Sequence, residues 1–320
     1  MSNRYGYNNV LGLLAAFPDE AACAEHLAAL RWPDGITCPL CASTRHFTHM
    51  NRPGKYVCGD CRKQFSVRKG TVYEESRLPL RKWFLAAFLM TTSRKGISSL
   101  QLAREIGVTQ KTAWFVLGRL RKAAEQASSR AGTLPGPVEA DESYFGGRNK
   151  NRHTRDRLPG RGTANKMAVA GVVSRTSGQA VARQIEQPDR ATLIPFVEGV
   201  TAPGSTIYTD THSGYDGLSS LFNRLTHETV NHSAGEYVRG KVHTNGVESF
   251  WALLKRGYHG VFHDFSQKHL PRYLAEFSHR WNMLPLSSAQ RVDALLKAGI
   301  GERLTYEELI SEPERGYSRV

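Results

Sequence analysis

Within residues 243–260 the apolar residues Val247, Phe250, Trp251 and Leu254 recur at spacings of three and four, the period of one helical face. That pattern predicts an amphipathic helix and leaves Asn245, Glu248 and Lys255 off its apolar side. The same period in "QKHLPRYLAEFSHRWN" predicts a second helix after it. Upstream, "PVEADESYFGG", "MAVAGVVS", "QAVARQIE", "TIYTDTH" and a stretch near "RLTHETV" read as strands. Helices "ATLIPFVEGV" and "GYDGLSSLF" precede the fourth and fifth of these.

Three strands, a helix, a strand, a helix, a strand and a helix is the order of the ribonuclease H-like fold, a mixed sheet with helices, here at 138–285. The Ser, Gly and Pro of "SSRAGTLPGP" make 128–137 a linker. Before it, 77–127 is helical. "LPLRKWFLAAFLMTTS" is an apolar helix, Ser98 caps a helix through Ile106, Gly107 supplies a turn, and Thr109 caps a helix through Arg121. This helix-turn-helix-like pattern would present Gln110, Lys111 and Thr112 to a DNA major groove. Residues 286–320 read as a C-terminal helical tail, so the expected class is a multidomain α/β chain.

Residues 1–76 open with a short helix in "PDEAACAEHLAALRWPDG", stopped by Pro33 and Gly35. Two C-x-x-C pairs follow, "CPLC" and "CGDC", with sixteen residues between them. Cys38, Cys41, Cys58 and Cys61 thus have the spacing of a four-cysteine zinc site. With the strands "HFTHM" and "YVCGDC" they make a zinc ribbon, too small to bury a core without its metal. A thioredoxin-like site needs one such pair and not two. Disulfides are rare in the reducing compartment expected for a chain with no export signal. Cys23, in an alanine-rich helical stretch, reads as a small core residue.

Lys+Arg 43 against Asp+Glu 29 gives a net charge of +14, which points to a polyanionic partner, nucleic acid first and an anionic membrane second. The apolar run from Leu11 to Phe17 is too short to span a bilayer, so no transmembrane helix is expected, and neither is a signal peptide; a cytoplasmic protein is expected. Seven Lys or Arg against the single Asp156 in "GGRNKNRHTRDRLPGRGTANK" suggest a grip on DNA phosphates through Arg152, Arg155 and Arg157.

The first strand carries "EADES" and the fourth "YTD". These strands are neighbours in the expected sheet, so Asp141 and Asp210 should face each other, with Glu248 or Asn245 of the last helix closing an acidic pocket. Asp141, Asp210 and Glu248 then suit Mg²⁺ or Mn²⁺, and two ions about 3.5 to 4 Å apart would serve in-line phosphoryl transfer on nucleic acid. Glu139 and Glu142 are expected on the strand face opposite Asp141, and Asp216 in a turn. His212 and His243 lie near the proposed ligands, with a structural role as ready an explanation as phosphate or water contact. Phe250 and Trp251 read as core. Lys255 stands seven residues beyond Glu248, about 10 Å along the axis, and with Arg256 is expected to meet DNA phosphate.

The segments "RWPDGITCPLC", "CGDC", "VEADESYFGGRNKNRH", "YTD", "HTNGVESFWALLKRGYHGVFH" and "YLAEFSHRWN" resemble bacterial insertion-sequence transposases of the DDE type, in the zinc-ribbon group related to Merlin-type elements. The resemblance covers nearly the whole chain. It implies an enzyme that binds terminal inverted repeats, cleaves the 3′ ends of its element and joins them to target DNA. It implies double-stranded DNA as partner, a homodimer or higher assembly on that DNA, and a place at the nucleoid. The DDE pattern sets a basic residue two helical turns beyond the acidic one, which favours Glu248. Members of the group can carry Asn at the third position, which keeps Asn245 open. The contrasting reading is a DNA-binding regulator, or domesticated relative, without turnover. A plain nuclease of the same fold is a third.

Overall fold

The computed structural model describes residues 6–49, 51–130, 132–146, 166–218, 226–230 and 238–311. Along the chain run α1 (Val10–Ala16), α2 (Glu20–Arg31), β1 (His46–Thr48), β2 (Lys55–Cys58), β3 (Gln64–Ser66), α3 (Leu80–Thr92), α4 (Ser99–Ile106) and α5 (Gln110–Ser129). Next come β4 (Val138–Phe145), β5 (Met167–Ser174), β6 (Ala180–Ile185), α6 (Arg190–Val200), β7 (Thr206–Asp210) and β8 (Thr226–Val230). Four helices close the order: α7 (Asn245–Gly257), α8 (Leu270–Asn282), α9 (Ser288–Ala298) and α10 (Tyr306–Ile310). They form two compact units, one of Met1–Ala127 with Met283–Val320 and one of Ser128–Asn282. Among the described residues no helix is long and apolar enough to cross a membrane.

In the first unit the helix starts follow local chemistry. The side chains of Asn9, Asp19 and Ser98 accept backbone N–H bonds at the starts of α1, α2 and α4. Gly107 ends α4 at φ 62, a left-handed value that costs glycine little. Helix α1 was not among the expected elements, and α5 runs well past Arg121. The ribbon is an antiparallel β1-β2-β3 sheet whose third strand comes from "KQFSVRKGT". Ribbon and helices share one core: Tyr56 and Phe65 join Trp83 and Phe84 of α3, Leu117 of α5 and Leu295 of α9. So the segment after 286, read as a tail, supplies a helix whose Val292, Leu295 and Leu296 are fully buried. A three-stranded ribbon has too little apolar surface for a core of its own, which explains the merger.

The second unit is a five-stranded sheet of order β6-β5-β4-β7-β8. β4, β5 and β6 are antiparallel, and β7 and β8 continue parallel to β4, the arrangement of the ribonuclease H-like fold. Alternation gives the sheet two apolar faces. Val138, Ala140 and Val172 pack with α6, while Val169 and Val173 pack with α7 and α8. Leu134, inside the stretch read as a linker, is buried with the α6-side core and bridges to Thr201. Where a helix was expected at 214–222, Ser213–Tyr215 form a single 3-10 turn, and 219–222 lie outside the described residues.

Candidate active site

Two clusters of ligating side chains stand out among the described residues. The first is the ribbon's: the sulfurs of Cys38, Cys41, Cys58 and Cys61 lie within 4.8 Å of one another. Cys38 and Cys61 are 3.8 Å apart, and Cys41 and Cys58 3.5 Å. Four sulfurs about 2.3 Å from a tetrahedral Zn²⁺ would stand about 3.8 Å apart, so the donor set fits a structural zinc. Backbone amides of Cys61 and Asp60 donate to Cys58 and pull its thiol down to about 6, towards the thiolate a metal requires.

The second cluster arises from strand register. β4 and β7 pair at Val138↔Ile207 and Glu139↔Tyr208 and nowhere further along β4. Asp141 and Asp210 each lie two residues beyond the last pair, so the register sets them side by side where the ladder has opened. Carboxylate oxygens of Asp141, Glu142 and Asp210 lie within 4.8 Å of one another. Burial, then the charges of Glu142 and Asp210, push Asp141 up to about 7, against the opposing Glu142 backbone amide and Trp251 indole. Burial also raises Glu142, with His212 opposing and Asp210 adding to the effect. Three repelling carboxylates are relieved by a hard cation. Mg²⁺ holds its oxygens at about 2.1 Å, hence neighbouring ligands about 3 Å apart, within reach of this set.

The structure corrects the expected placing of the flanking acids. Glu139 shares the face of Asp141, because strand side chains repeat every second residue. It is buried, and its Oε1 accepts a 2.6 Å bond from Arg175 Nε. Glu142 does lie across the strand, where its Oε2 accepts from Tyr215 on the α6-side core at 3.2 Å. At the opened strand end its carboxylate still reaches the other two. Gly214 N donates to His212 Nδ1, so the ring proton sits on Nε2, 3.7 Å from Glu142. The backbone N–H of His212 donates to Asp210 at 3.0 Å. Asp216 ends the 3-10 turn, in keeping with its reading as a turn residue.

Helix α7 docks on this edge through polar contacts that its periodicity does not reveal. Its N-cap, Thr244, makes no capping bond; its hydroxyl donates instead to Glu248 Oε1 at 2.9 Å. The cap comes from the sheet. Glu139 Oε2 accepts from the N–H groups of Gly246 and Val247 at 2.6 and 3.0 Å, an anion at a helix N-terminus. Arg175, paired with Glu139, also donates to the carbonyls of Lys241 and His243 and to His243 Nδ1, and lies over the Tyr208 ring. Arginine only donates, so that histidine nitrogen is an acceptor. Trp251, read as core, is buried but also donates from Nε1 to Asp141 Oδ2 at 3.0 Å. Asn245 and Glu248 are exposed at the start of α7, and Glu248 is not part of the acidic set.

Lys255 and Arg256 are exposed on the last turn of α7. Gln110 and Lys111 are exposed and Thr112 half-buried at the start of α5. Gln110 donates to Ser99, Lys111 lies over the Tyr306 ring, and Thr112 bonds the Thr109 hydroxyl. Arg152, Arg155 and Arg157 lie outside the described residues. Only the acid-rich spelling "EADES" could have flagged Glu139 and Glu142 in advance, and no spacing in the chain flags Arg175.

Residues 133–282 match the ISXO2-like transposase domain, and 18–64 match the transposase zinc-ribbon domain. A protein in the transposable element ISH50 of Halobacterium salinarum is 31% identical over 301 residues, covering 90% of this chain and 99% of that protein. A transposase-like protein of Haemophilus influenzae is 32% identical over 98 residues, 31% of this chain and 76% of that protein. Aligned with the ISH50 protein over nearly all of its length, and carrying both transposase domains, the chain belongs to the ISXO2-like, IS1595-type family of DDE transposases.

Proposed function

We propose that the chain binds the terminal inverted repeats of its insertion sequence, hydrolyses the 3′ ends and joins them to target DNA. The observation that carries this reading is the meeting of Asp141, Glu142 and Asp210 at the opened edge of the sheet. Asp141 and Asp210 would hold Mg²⁺ or Mn²⁺, with Glu142 adding charge from the far face and α7 contributing Glu248 or Asn245. A divalent ion bound there supplies Lewis acidity to the phosphate and lowers the pKa of an attacking water.

In the first reaction a water oxygen bonds to phosphorus and the P–O3′ bond breaks; the attacking water gives up a proton and the departing 3′ oxygen takes one up through solvent, leaving a 3′-hydroxyl on the element. In the second, that hydroxyl attacks a target phosphate and displaces the target's own 3′ oxygen. The chain's part is to orient both oxygens in line and to hold the strands. Lys255 and Arg256 would contact backbone phosphate, as would Arg152, Arg155 and Arg157. Gln110, Lys111 and Thr112 would read the repeat from α5, and the ribbon would support or extend that surface. Two ends must be held together, so the active form would be a dimer or higher assembly.

The test is cleavage and joining on DNA carrying the element's own end, with Mg²⁺. Wild type is compared with Asp141→Ala, Glu142→Gln, Asp210→Asn, Glu248→Gln and Asn245→Ala. Loss of both reactions in Asp141→Ala and Asp210→Asn, with end binding retained, supports the reading, and whichever α7 variant falls with them is the third member. Binding without cleavage by wild type, at any Mg²⁺ or Mn²⁺ concentration, would replace it with a regulator that does not turn over.

A further inference from the structure

Asp141 and Gly171 are direct partners across the β4-β5 ladder. Gly171 falls between Val169 and Val173 on the alternation of the face that packs α7 and α8, where a side chain would be expected. It is not among the glycines of positive φ, so no turn requires it. It provides space. A Cβ there would lie 2.6 Å from Trp251 Cζ2 and 2.7 Å from Cη2, so the indole occupies the volume of the missing side chain. This slot brings the ring N–H of Trp251 to 3.0 Å from Asp141 Oδ2.

Packing alone does not need that nitrogen, because a phenylalanine would bury a comparable ring. A buried indole N–H does need an acceptor, and the one it finds is a carboxylate of the acidic cluster. With Oδ2 held from the side, rotation of the carboxylate is restricted. The same bond ties the phase of α7 to Asp141. Trp251 lies three residues beyond Glu248 and six beyond Asn245 on that helix.

We propose that Trp251, seated in the slot left by Gly171, is a positioning residue that sets the Asp141 carboxylate and the phase of α7 for divalent-cation binding. This rests on the reading of the acidic cluster as a cation site. Outer partners that orient ligand groups are worth about 10- to 100-fold in metal affinity or activity, and an effect of that size is expected here.

The experiment uses the full chain. In ¹⁵N-indole-labelled wild type, addition of Mg²⁺ should move the Trp251 Nε1–H resonance, identified by its absence in Trp251→Phe. Mn²⁺ affinity is measured by calorimetry for wild type, Trp251→Phe and Asp141→Asn, and kcat and KM for cleavage of an end-bearing DNA are measured alongside. Trp251→Phe is expected to weaken Mn²⁺ about tenfold and lower kcat by about 10- to 100-fold, with KM for DNA unchanged. Gly171→Ala, which evicts the indole without removing it, should shift the resonance and reproduce the loss. The wild-type resonance and the Gly171→Ala affinity keep the question open to refutation if Trp251→Phe does not fold. If Asp141→Asn abolishes Mn²⁺ binding while Trp251→Phe and Gly171→Ala bind it as wild type does, the positioning role is refuted and the cation site stands. If Asp141→Asn binds Mn²⁺ like wild type, the cation site itself is refuted, and the positioning role with it.

Discussion

The cysteine cluster and the acidic cluster each gather side chains that could hold a metal, yet they are assembled in opposite ways. The four thiols come from two C-x-x-C knuckles on one small ribbon, so local turns place each pair. Glu142 and Asp141 are chain neighbours, but Asp210 reaches them only because β7 pairs beside β4 and the ladder opens after Glu139. The first cluster carries the donor set of a structural zinc. The second is a strain that the finished fold imposes, and its carboxylates repel each other until a cation arrives. The comparison teaches that gathering possible metal ligands can carry opposite signs of stability.

The largest contrast should appear on metal removal. Structural zinc contributes on the order of 10 kcal/mol to small cysteine modules. Chelation, or Cys58→Ser, should therefore loosen the ribbon, read by limited proteolysis across it. Withholding Mg²⁺ should leave the second unit folded. A ribbon that resists proteolysis without zinc would erase the contrast.

Next in size is the clamp under α7. Glu139→Ala leaves Arg175 without its buried partner and the start of α7 without its cap, at a cost of about 3 to 5 kcal/mol. Denaturant unfolding of the second unit would register it, and a change below about 1 kcal/mol would reduce Glu139 to a solvated acid.

The acidic cluster should show its strain in pH dependence. Asp141 has a folded pKa raised to about 7 from an ordinary 3.8, so the folded state holds its proton longer than the unfolded chain does. Its contribution is present below the unfolded value and lost as pH rises through the folded one. In metal-free protein, Asp141→Asn should thus gain on the order of 4 kcal/mol over wild type at pH 8 and little at pH 4. Adding Mg²⁺ should stabilise wild type and not the variant. Equal thermal shifts at both pH values would mean that the cluster stores no repulsion.

A smaller effect of opposite sign is expected from the same unit. His279 in α8 is buried, its Nε2 has no hydrogen-bond partner among the described residues, and burial, then Arg280, pulls its pKa down to about 4. A depressed base loses its stabilising contribution as pH falls from its unfolded value of about 6.5 through the folded one, about 2 kcal/mol by pH 5. His279→Gln should flatten that acid limb, and an unchanged limb would assign it to other groups.

Much of this was legible in the chain. Periodicity marked α7 and α8, alternation and turn residues marked the strands, and Ser98 and Gly107 marked the ends of α4, because each depends on residues within a few positions of each other. The cysteine spacing named its own cluster for the same reason. Glu139, two residues before Asp141, shares its strand face, whereas Glu142 meets the pair from the other face because the strand end opens, which alternation alone does not foretell. Trp251 looked like any apolar position on a helix, since nothing in "ESFWALL" says that its nitrogen faces an aspartate.

The sequence by itself therefore determined the zinc knuckles, the succession of sheet strands with α6, α7 and α8 in the second unit, the family and the pair Asp141 and Asp210. Each follows from local spacing or from a string of residues that survives without coordinates. Only the tertiary structure decided that Glu142 joins that pair, that Glu139 and Arg175 clamp α7, and that Gly171 makes room for an indole against Asp141. Those contacts join residues 30 to 110 positions apart through sheet register and helix docking, and chain-local chemistry carries no record of either.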